Sequence, residues 1–246
     1  MKKSDSFPKL GPSSVKSCPS TMPGICFKFA VKIHNLKAVL VFIEFKHSFD
    51  SAHRGRMLQI LRVYHIPEKQ IDAIGLLYRG KKARVMRPDG ETDFFEIQAG
   101  ILQGDTLAPY IFAIVLDYTI RRAIGGREEK LGFKIDQRRG SRHHQIVVIT
   151  DTDFADDIAM TSDEIHQAQE MLASVETEAA KIGLHLNSKK TEVMHFNQGG
   201  VTTIKAKNGE KIKTVDSFEY LGGWLESFAK EILKSERLWH GQLVTG

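Results

Sequence analysis

Cysteine is almost absent from this chain. Only Cys18 and Cys26 occur among its 246 residues, and no Cys-x-x-Cys spacing is present. A structural zinc site, which needs four such ligands or a matching set of histidines, is therefore not expected. The low cysteine content favours a reducing, intracellular compartment, either nucleus or cytoplasm.

Long apolar runs are missing as well. No stretch approaches the roughly 18 apolar residues that cross a membrane, so we expect a soluble protein with no membrane partner. Residues 1–24 also lack the apolar core of a secretory signal. Because residues 1–35 are rich in Ser, Pro and Lys, we predict a disordered or poorly ordered N-terminal segment.

What the chain does contain is enough apolar surface for a core and a slight excess of positive charge. Hydrophobic residues make up 41% of it, and 35 Lys and Arg against 30 Asp and Glu give a net charge of +5. Clustered basic residues gain affinity for nucleic acid by displacing counterions from phosphates, so binding that weakens with salt is expected.

The first half of the sequence predicts a strand followed by helices and a hairpin. Residues 38–45 form a nearly continuous apolar run, which is typical of a buried strand. Asp50 and Ser51 are candidate N-caps for the next helix, and Pro67 opens a second helix. Further on, Asp89-Gly90 lies between two short apolar segments and predicts a tight hairpin turn.

The second half predicts a helix, two strands, a helix and a strand. Asp105 is a candidate cap for an apolar helix from about residue 106 to 122, and the basic section 125–145 is predicted to be a loop. The segment DTDFADD is flanked by two apolar runs, which indicates two strands joined by a short turn. An amphipathic helix beginning near residue 162 precedes a strand and a hairpin at Asn208-Gly209. This order approximates β-α-β-β-α-β, an α+β arrangement of the ferredoxin-like type.

Three acidic residues form a candidate metal site. Asp156 and Asp157 sit at the tip of the predicted hairpin, and Glu44 lies near the end of the first strand. If that strand pairs beside the hairpin, these carboxylates could share Mg²⁺ ions, as two-metal phosphoryl transfer requires.

A plainer alternative remains open, because an isolated acidic pair in a turn is usually solvated. For Asp151 and Asp153 we favour this turn chemistry. A calcium loop starting at Asp151 is excluded, since its fifth position is Ala155 and its twelfth is Ser162.

Five segments in fixed order resemble the conserved motifs A to E of reverse transcriptases from non-LTR, LINE-type retrotransposons. They are FIEFKHSFDSAHR at 42–54, GILQGDTLAPYIF at 100–112, DFADDIA at 153–159, GLHLNSKKTEVM at 183–194 and FEYLGGW at 218–224. The resemblance covers about three quarters of the chain. It implies a ferredoxin-like polymerase palm over residues 36–198, followed at 199–246 by the motif E hairpin and the start of a thumb.

The resemblance also assigns catalytic roles. Glu44 stands where the family has its first metal-binding Asp, Asp156 stands at the second such carboxylate, and Asp157 is the adjacent acid that assists the site. Lys190 matches the motif D lysine near the leaving pyrophosphate. The implied cofactor is Mg²⁺, two ions, with Mn²⁺ as a substitute.

Further residues would contact substrates. Phe49 matches the aromatic beneath the incoming sugar, with a plain core aromatic as an equally weighted alternative, and Gln103 and Gly104 match the nucleotide site. Motif E would hold the primer end, or else simply pack on the palm core. Its residues are Phe218, Tyr220, Leu221 and Gly222. The implied partners are an RNA template, a DNA primer and a dNTP.

The chain departs from the family pattern at Glu44, whose side chain is one methylene longer than that of Asp. Fingers motifs are not recognisable before residue 36, and little follows motif E. We therefore expect a truncated or degenerate copy with fingers and thumb largely missing. RNA-templated DNA synthesis by two-metal nucleotidyl transfer is the predicted function, with its activity in question. A catalytically inactive, nucleic-acid-binding remnant of a transposon is the alternative.

Overall fold

A computed structural model describes residues 36–102, 104–134, 148–154, 157–197, 203–220 and 223–227. The predicted disordered segment 1–35 and the predicted start of a thumb after residue 227 lie outside these ranges. Within them, the helices are too short or too polar for any to cross a lipid bilayer.

The described residues form a mixed α/β structure of six helices and fifteen strands. The helices are α1 (Ser48–Ser51), α2 (Arg54–Val63), α3 (Glu68–Tyr78), α4 (Ala108–Ile124), α5 (Glu128–Leu131) and α6 (Ile165–Ala180). The strands are β1 (Ala38–Ile43), β2 (Phe45–Lys46), β3 (Lys82–Ala83), β4 (Met86–Arg87), β5 (Gly90–Glu91), β6 (Phe95–Glu96), β7 (Phe133–Lys134), β8 (Val148–Ile149), β9 (Asp151–Phe154), β10 (Asp157–Ser162), β11 (His185–Leu186), β12 (Glu192–Phe196), β13 (Lys213–Thr214), β14 (Ser217–Tyr220) and β15 (Gly223–Glu226).

The chain divides into two compact units. The helical unit contains Phe45–Gly126 and Ala173–Asn187, and the sheet unit contains the described residues of Ser14–Glu44, Arg127–Leu172 and Ser188–Gly246. The boundary between the units falls inside α6.

A five-stranded sheet in the order β13-β12-β1-β10-β9 dominates the sheet unit. β1 lies in its middle because all six of its residues are apolar, and all six are buried. It pairs antiparallel with β10 on one side and with β12 on the other. β9 pairs antiparallel with β10, whereas β13 runs parallel to β12.

One face of this sheet carries an apolar cluster. It combines residues of the strands with residues of the segments that cover them: Ala38, Leu40, Phe42, Ala159, Met194 and Phe196, together with Phe133, Tyr220 and Leu225. The covering residues come from β7 and from the hairpin of β14 and β15. The hairpin is therefore fixed to the sheet through apolar contacts.

The prediction of a loop over residues 125–145 is wrong in its first part. Arg127–Leu131 turns into α5, and Phe133–Lys134 forms β7, which pairs with β8. Leu131 and Phe133 are fully buried, so burial of these two side chains orders a segment whose composition is basic and polar. Residues 135–147 lie outside the described part.

In the helical unit, α2 packs against α3 and α4 through apolar side chains. The buried residues at helical spacing are Met57, Ile60 and Leu61 of α2, Ile71 of α3, and Ile111, Phe112 and Val115 of α4. At the end of α2, the hydroxyl of Tyr64 donates to the carboxylate of Asp117 on α4. Arg121 donates to the same carboxylate at 2.7 Å, one turn further along α4.

Asp50 and Ser51 do not cap the long helix, contrary to prediction. Both belong to the single turn α1, where the Ser51 hydroxyl donates to the carbonyl of His47 at 2.8 Å. The chain then extends at Ala52, and His53 caps α2 by accepting a hydrogen bond from the main-chain N–H of Arg56. The chain therefore forms the short α1 first and begins the long α2 only after extended backbone, instead of entering α2 directly.

Two other local predictions need correction. The apolar helix α4 begins at Ala108 with Leu107 as N-cap, and Asp105 accepts from the Leu107 N–H at 3.1 Å without itself being the cap. Asp151 and Asp153 lie in strand β9 and not in a turn. They are held in the sheet by pairing with β10, and the edge position of β9 lets polar side chains face solvent.

Several predictions are confirmed. α3 follows Pro67, the hairpin turns at Asp89-Gly90 with β4 paired to β5, and α6 buries one face. The buried positions of α6 are Ala168, Met171, Leu172, Val175 and Ala179. A turn at residues 206–209 brings Lys205 opposite Lys211.

Gly183 offers a test of the helical unit. Its φ is +88°, and an added Cβ would lie 2.5 Å from the carbonyl oxygen of Ser51. Gly80 also has a positive φ, of +64°, but nothing lies within 4 Å of its added Cβ. We predict that Gly80→Ala lowers the free energy of unfolding by about 1 kcal/mol, from backbone strain alone.

Gly183→Ala should lower it by about 3 kcal/mol, because the steric clash adds to the same strain. Urea unfolding followed by circular dichroism measures both values. Equal losses for the two variants would show that the close approach to Ser51 does not constrain the fold.

Candidate active site

The end of β1 is the point at which the candidate site residues meet. The register pairs Ile43 with Ile158 of β10 and Phe42 with Glu192 of β12. Extending both antiparallel registers brings Glu44 opposite Asp157 on one side and opposite Lys190 on the other. All three residues belong to the sheet unit.

Glu44 and Asp157 lie on one face of the sheet. Side chains of a strand alternate between its faces, so Glu44 shares the face of Phe42, and Asp157 shares that of Ala159. Phe42 and Ala159 are both part of the apolar cluster described above. The charged residues therefore lie on the same side of the sheet as the apolar cluster, at the ends of the strands.

Glu44 and Lys190 form an ion pair. The Nζ of Lys190 lies 2.8 Å from Oε1 of Glu44, and the two side chains are 66% and 44% exposed. The hydrogen bond to Glu44 raises the pKa of Lys190 above its ordinary value, which already keeps the ammonium group charged at neutral pH. Because water screens an exposed pair, its main effect is on side-chain position and less on stability.

A buried threonine fixes the backbone beneath this pair. The main-chain N–H of Glu44 donates to Oγ1 of Thr191 at 3.3 Å, and Thr191 is fully buried. Thr191 directly precedes β12, so the hydrogen bond ties the end of β1 to the start of its neighbour.

These charged residues line a shallow pocket together with apolar and aromatic side chains. The lining residues are Phe42, Ile43, Glu44, Asp157, Ile158, Lys190, Phe218 and Tyr220. Five of the predicted site residues are among them, drawn from motifs A, C, D and E. The pocket therefore combines two carboxylates and one ammonium group with an aromatic wall.

The aromatic wall is formed by Phe218 and Tyr220 of β14. The ring of Phe218 stacks on that of Phe42, with centroids 3.8 Å apart and planes inclined by 12°. Tyr220 contacts Phe42 at 5.7 Å in a tilted arrangement. The packing alternative considered for these two residues is thus observed, and it also directs them toward the pocket.

Tyr220 links the hairpin to the acidic strand β9. Its hydroxyl donates to the main-chain carbonyl of Thr152 at 2.9 Å. Burial, with smaller contributions from the nearby Asp153, Asp157 and Asp151, raises the pKa of Tyr220 above its ordinary value. The phenol therefore remains protonated and keeps this hydrogen bond across the physiological pH range.

Two predicted nucleotide-binding residues belong to the helical unit. The ring of Phe49 stacks on Phe112, with centroids 4.5 Å apart. Gly104 has a φ of +85°, and nothing lies within 4 Å of a Cβ built on it. Phe49 is therefore half-buried and packed against the buried Phe112, while the α-carbon of Gly104 faces open space ahead of α4.

Four predicted site residues lie outside the described part of the chain. They are Asp156, Gln103, Leu221 and Gly222. The second carboxylate of the candidate metal site is among them.

The donor chemistry of the pocket suits a hard divalent cation. Glu44 and Asp157 supply carboxylate oxygens, which Mg²⁺ prefers, and both line the same pocket. Within the residues that the structure describes, no group of three acidic, histidine or cysteine side chains is close enough to hold a metal ion. The two described carboxylates thus fit part of a magnesium site.

Sequence reasoning missed three contributors to this site. Phe42, Thr191 and Thr152 support the pocket by ring stacking and by hydrogen bonds. Phe42 and Thr191 lie within the matched motifs A and D, but strand pairing was needed to reveal their contacts. The ion pair between Glu44 and Lys190 joins motifs A and D in the same way.

Comparison with known proteins identifies what the chain is similar to. The family model described as reverse transcriptase (RNA-dependent DNA polymerase) matches residues 2–225. The Pol polyprotein of the type-1 retrotransposable element R2 from Nasonia vitripennis is 25% identical over 65% of this chain and 14% of its own length. The corresponding R2 polyprotein from Popillia japonica is 23% identical over 80% of this chain and 33% of its own length.

Similar solved structures are telomerases of Candida species. Telomerase from Candida albicans, in complex with a fragment of telomeric RNA, has a TM-score of 0.54 at 10% identity and covers 82% of this chain. Apo telomerase from Candida tropicalis gives a TM-score of 0.52 at 11% identity. The chain spans 32% and 37% of these two structures, so the likeness concerns the fold of one part of them.

Tyr220 allows a test of how the hairpin is fixed. We predict that Tyr220→Phe lowers the free energy of unfolding by about 1 kcal/mol, because the hydrogen bond to Thr152 is lost and the ring is kept. Tyr110→Phe is the matched control, since Tyr110 is 72% exposed. Guanidinium unfolding of both variants measures the difference, and an equal effect would mean that the hydroxyl of Tyr220 contributes nothing.

Proposed function

The chain belongs to the reverse transcriptase (RNA-dependent DNA polymerase) family, and from this premise we propose that it synthesises DNA on an RNA template. Its substrates would be an RNA template, a DNA primer and a dNTP. Retrotransposon R2 polyproteins among its relatives, and a telomerase bound to telomeric RNA among its structural neighbours, support nucleic-acid partners.

The observation that carries this proposal is the meeting of Glu44, Asp157 and Lys190 in one pocket at the end of β1. Each comes from a different motif, and the three are far apart in the sequence. Nucleotidyl transfer needs carboxylates to hold cations and a positive group to stabilise the departing pyrophosphate. The solvated-turn alternative for the acidic residues does not account for this grouping beside aromatic side chains.

We assign the metal ligands to Glu44 and Asp157, with Asp156 added from the motif C resemblance. Bound Mg²⁺ would supply charge neutralisation at the transferred phosphoryl group. Lys190 is charged at neutral pH, as an ordinary lysine is, and its hydrogen bond to Glu44 raises its pKa further. It can therefore donate a hydrogen bond to the leaving pyrophosphate and stabilise the charge that develops there.

We propose that the aromatic hairpin of β14 and β15 binds the primer end. Phe218 stacks on Phe42, two residues before Glu44, and Tyr220 contacts the same ring in a tilted arrangement. A primer end held by this hairpin would be positioned relative to the carboxylates through rigid packing. Leu221 and Gly222 are assigned to the same role from the motif E resemblance. Orientation of the 3′-hydroxyl is the role that we propose for β14 and β15.

Phe49, Gln103 and Gly104 would contact the incoming nucleotide. Gly104 leaves open space at its α-carbon, which permits a close approach of substrate to backbone. Phe49 is held by its stack on Phe112, so its ring can serve as a fixed steric limit to the sugar.

We also propose that residues 36–198 form a ferredoxin-like polymerase palm. The order of β1, helices, the β9-β10 pair, α6 and β12 along the chain supports this proposal. The sheet order β12-β1-β10-β9, with the first of these strands between the third and the fourth, supports it as well.

A second candidate function is nucleic-acid binding without catalysis. The observation in its favour is Glu44, which replaces the shorter Asp of the family motif and is engaged by Lys190. Mg²⁺ demands near-ideal octahedral geometry, so a longer ligand held by a lysine can misplace the ion. Such a protein would use basic residues such as Arg121 and Arg122 for salt-sensitive binding to phosphates.

Primer extension separates the two candidates. The full 246-residue chain is incubated with a labelled DNA primer annealed to RNA, with dNTPs and MgCl₂. We expect several added nucleotides per primer, and Asp157→Asn should reduce the rate at least about a hundredfold, because one metal ligand loses its charge.

Asp72→Asn is the matched control, since Asp72 is an exposed residue of α3 in the helical unit. It should extend primers at the wild-type rate. Binding of the primer–template without any extension would favour the second candidate, and extension that survives Asp157→Asn would remove this pocket as the active site.

Restoring the family residue tests the role of Glu44. We predict that Glu44→Asp raises the extension rate about tenfold or more, because the shorter side chain moves the carboxylate toward the geometry that Mg²⁺ requires. Steady-state kcat with saturating dNTP is the measurement. An unchanged or lower rate would show that the length of this ligand does not limit the reaction.

A further inference from the structure

The short segment from Ile97 to Leu102 follows β6, leads toward α4 and is bound to neighbouring chain by main-chain hydrogen bonds. The N–H of Gly100 donates to the carbonyl of Ala52 at 2.9 Å, and that of Ile101 donates to the carbonyl of Phe49 at 2.6 Å. The segment therefore lies directly on the turn that carries Phe49.

Gly100 makes this contact possible. Its φ is +89°, and an added Cβ would lie 2.8 Å from the carbonyl oxygen of Asp50. A side chain at this position would push the segment away from the turn. Phe49 and the segment that leads toward Gly104 are thus closely packed against each other within the helical unit.

Arg54, at the start of α2, binds the same segment through its side chain. Its Nε donates to the carbonyl of Gly100 at 2.9 Å, and its Nη1 donates to those of Tyr78 and Ile97, at 3.0 and 2.5 Å. Tyr78 ends α3, whereas Ile97 and Gly100 both belong to the segment. The guanidinium group therefore joins the end of α3 to two points of the segment.

Tyr78 contacts both Arg54 and the segment, and we call these two side chains the clamp. The guanidinium carbon of Arg54 lies 5.1 Å from the centre of the buried Tyr78 ring, and the Tyr78 hydroxyl accepts from the N–H of Leu102 at 3.4 Å. The side chains of Arg54 and Tyr78 thus contact both ends of the segment.

We propose that Arg54 is a positioning residue for dNTP binding, acting through the segment Ile97–Leu102 to hold Phe49 and Gly104 in their binding arrangement. This inference rests on the proposed function. Arg54 itself touches no reacting atom, and its effect is on substrate affinity. Arg54 is the last residue of motif A, but the motif resemblance assigns it no role.

The planar fork of arginine is essential to this role. A lysine ammonium would keep the charge, but its donors radiate from a single atom and cannot reach three carbonyls that a guanidinium spans. Arg54→Lys is therefore a conservative test, in which the charge is kept and the geometry is lost. Tyr78→Phe removes only the contact to Leu102 and keeps the ring beside Arg54.

The experiment measures KM for the complementary dNTP and kcat in primer extension by the full chain. We expect Arg54→Lys to raise KM about tenfold and to leave kcat within about twofold of wild type. Tyr78→Phe should raise KM by a smaller factor, about threefold, because only one hydrogen bond is lost. Arg62→Lys, an exposed residue of the same helix paired with Glu68, should change neither value.

A purely structural role predicts a different pattern, since fewer folded molecules would lower kcat and leave KM unchanged. That result, or an unchanged KM in both clamp variants, overturns the inference and leaves the proposed function intact. If Arg54→Lys does not fold, Tyr78→Phe carries the same test. Absence of incorporation by all four proteins, wild type included, would overturn the proposed function, and the inference with it.

Discussion

The antiparallel pairing of β1 with both β10 and β12 is the constraint on which the candidate site depends. Six buried apolar residues give β1 the central place in the sheet, and the registers on its two sides then determine what lies beyond its end. A shift of either register by one residue would turn Asp157 or Lys190 to the opposite face of the sheet. The apolar strand core thus sets the geometry of the charged pocket.

The charge of the pocket is only partly balanced before any cation binds, because its described lining holds two carboxylates and one ammonium group. Glu44 is paired with Lys190, and Asp157 lies near the buried phenol of Tyr220. A divalent cation held by the carboxylates would compete with Lys190 for Glu44, so metal affinity and the position of the lysine are coupled. This coupling connects motifs A and D, whose roles the sequence suggests separately.

The positions of the motifs could be predicted from the sequence because each has a distinctive local chemistry. The apolar run of β1, Pro67 before α3, the Asp89-Gly90 turn and the amphipathic α6 all follow from local residue preferences, and all are observed. The predictions that failed had plausible local signals that tertiary contacts outweighed. Ser51 donates to the carbonyl of His47 and does not cap α2, and burial of Leu131 and Phe133 orders a segment predicted to be a loop.

The sequence by itself determined the family, the order of the motifs and the candidate carboxylates Glu44 and Asp157, because these depend on residue identity and spacing along the chain. Only the tertiary structure decided that Lys190 pairs with Glu44, that Phe218 stacks on Phe42 and that Arg54 binds three carbonyls. Such contacts join residues many positions apart, and their geometry is fixed by strand register and core packing. Neither leaves a local signal in the sequence.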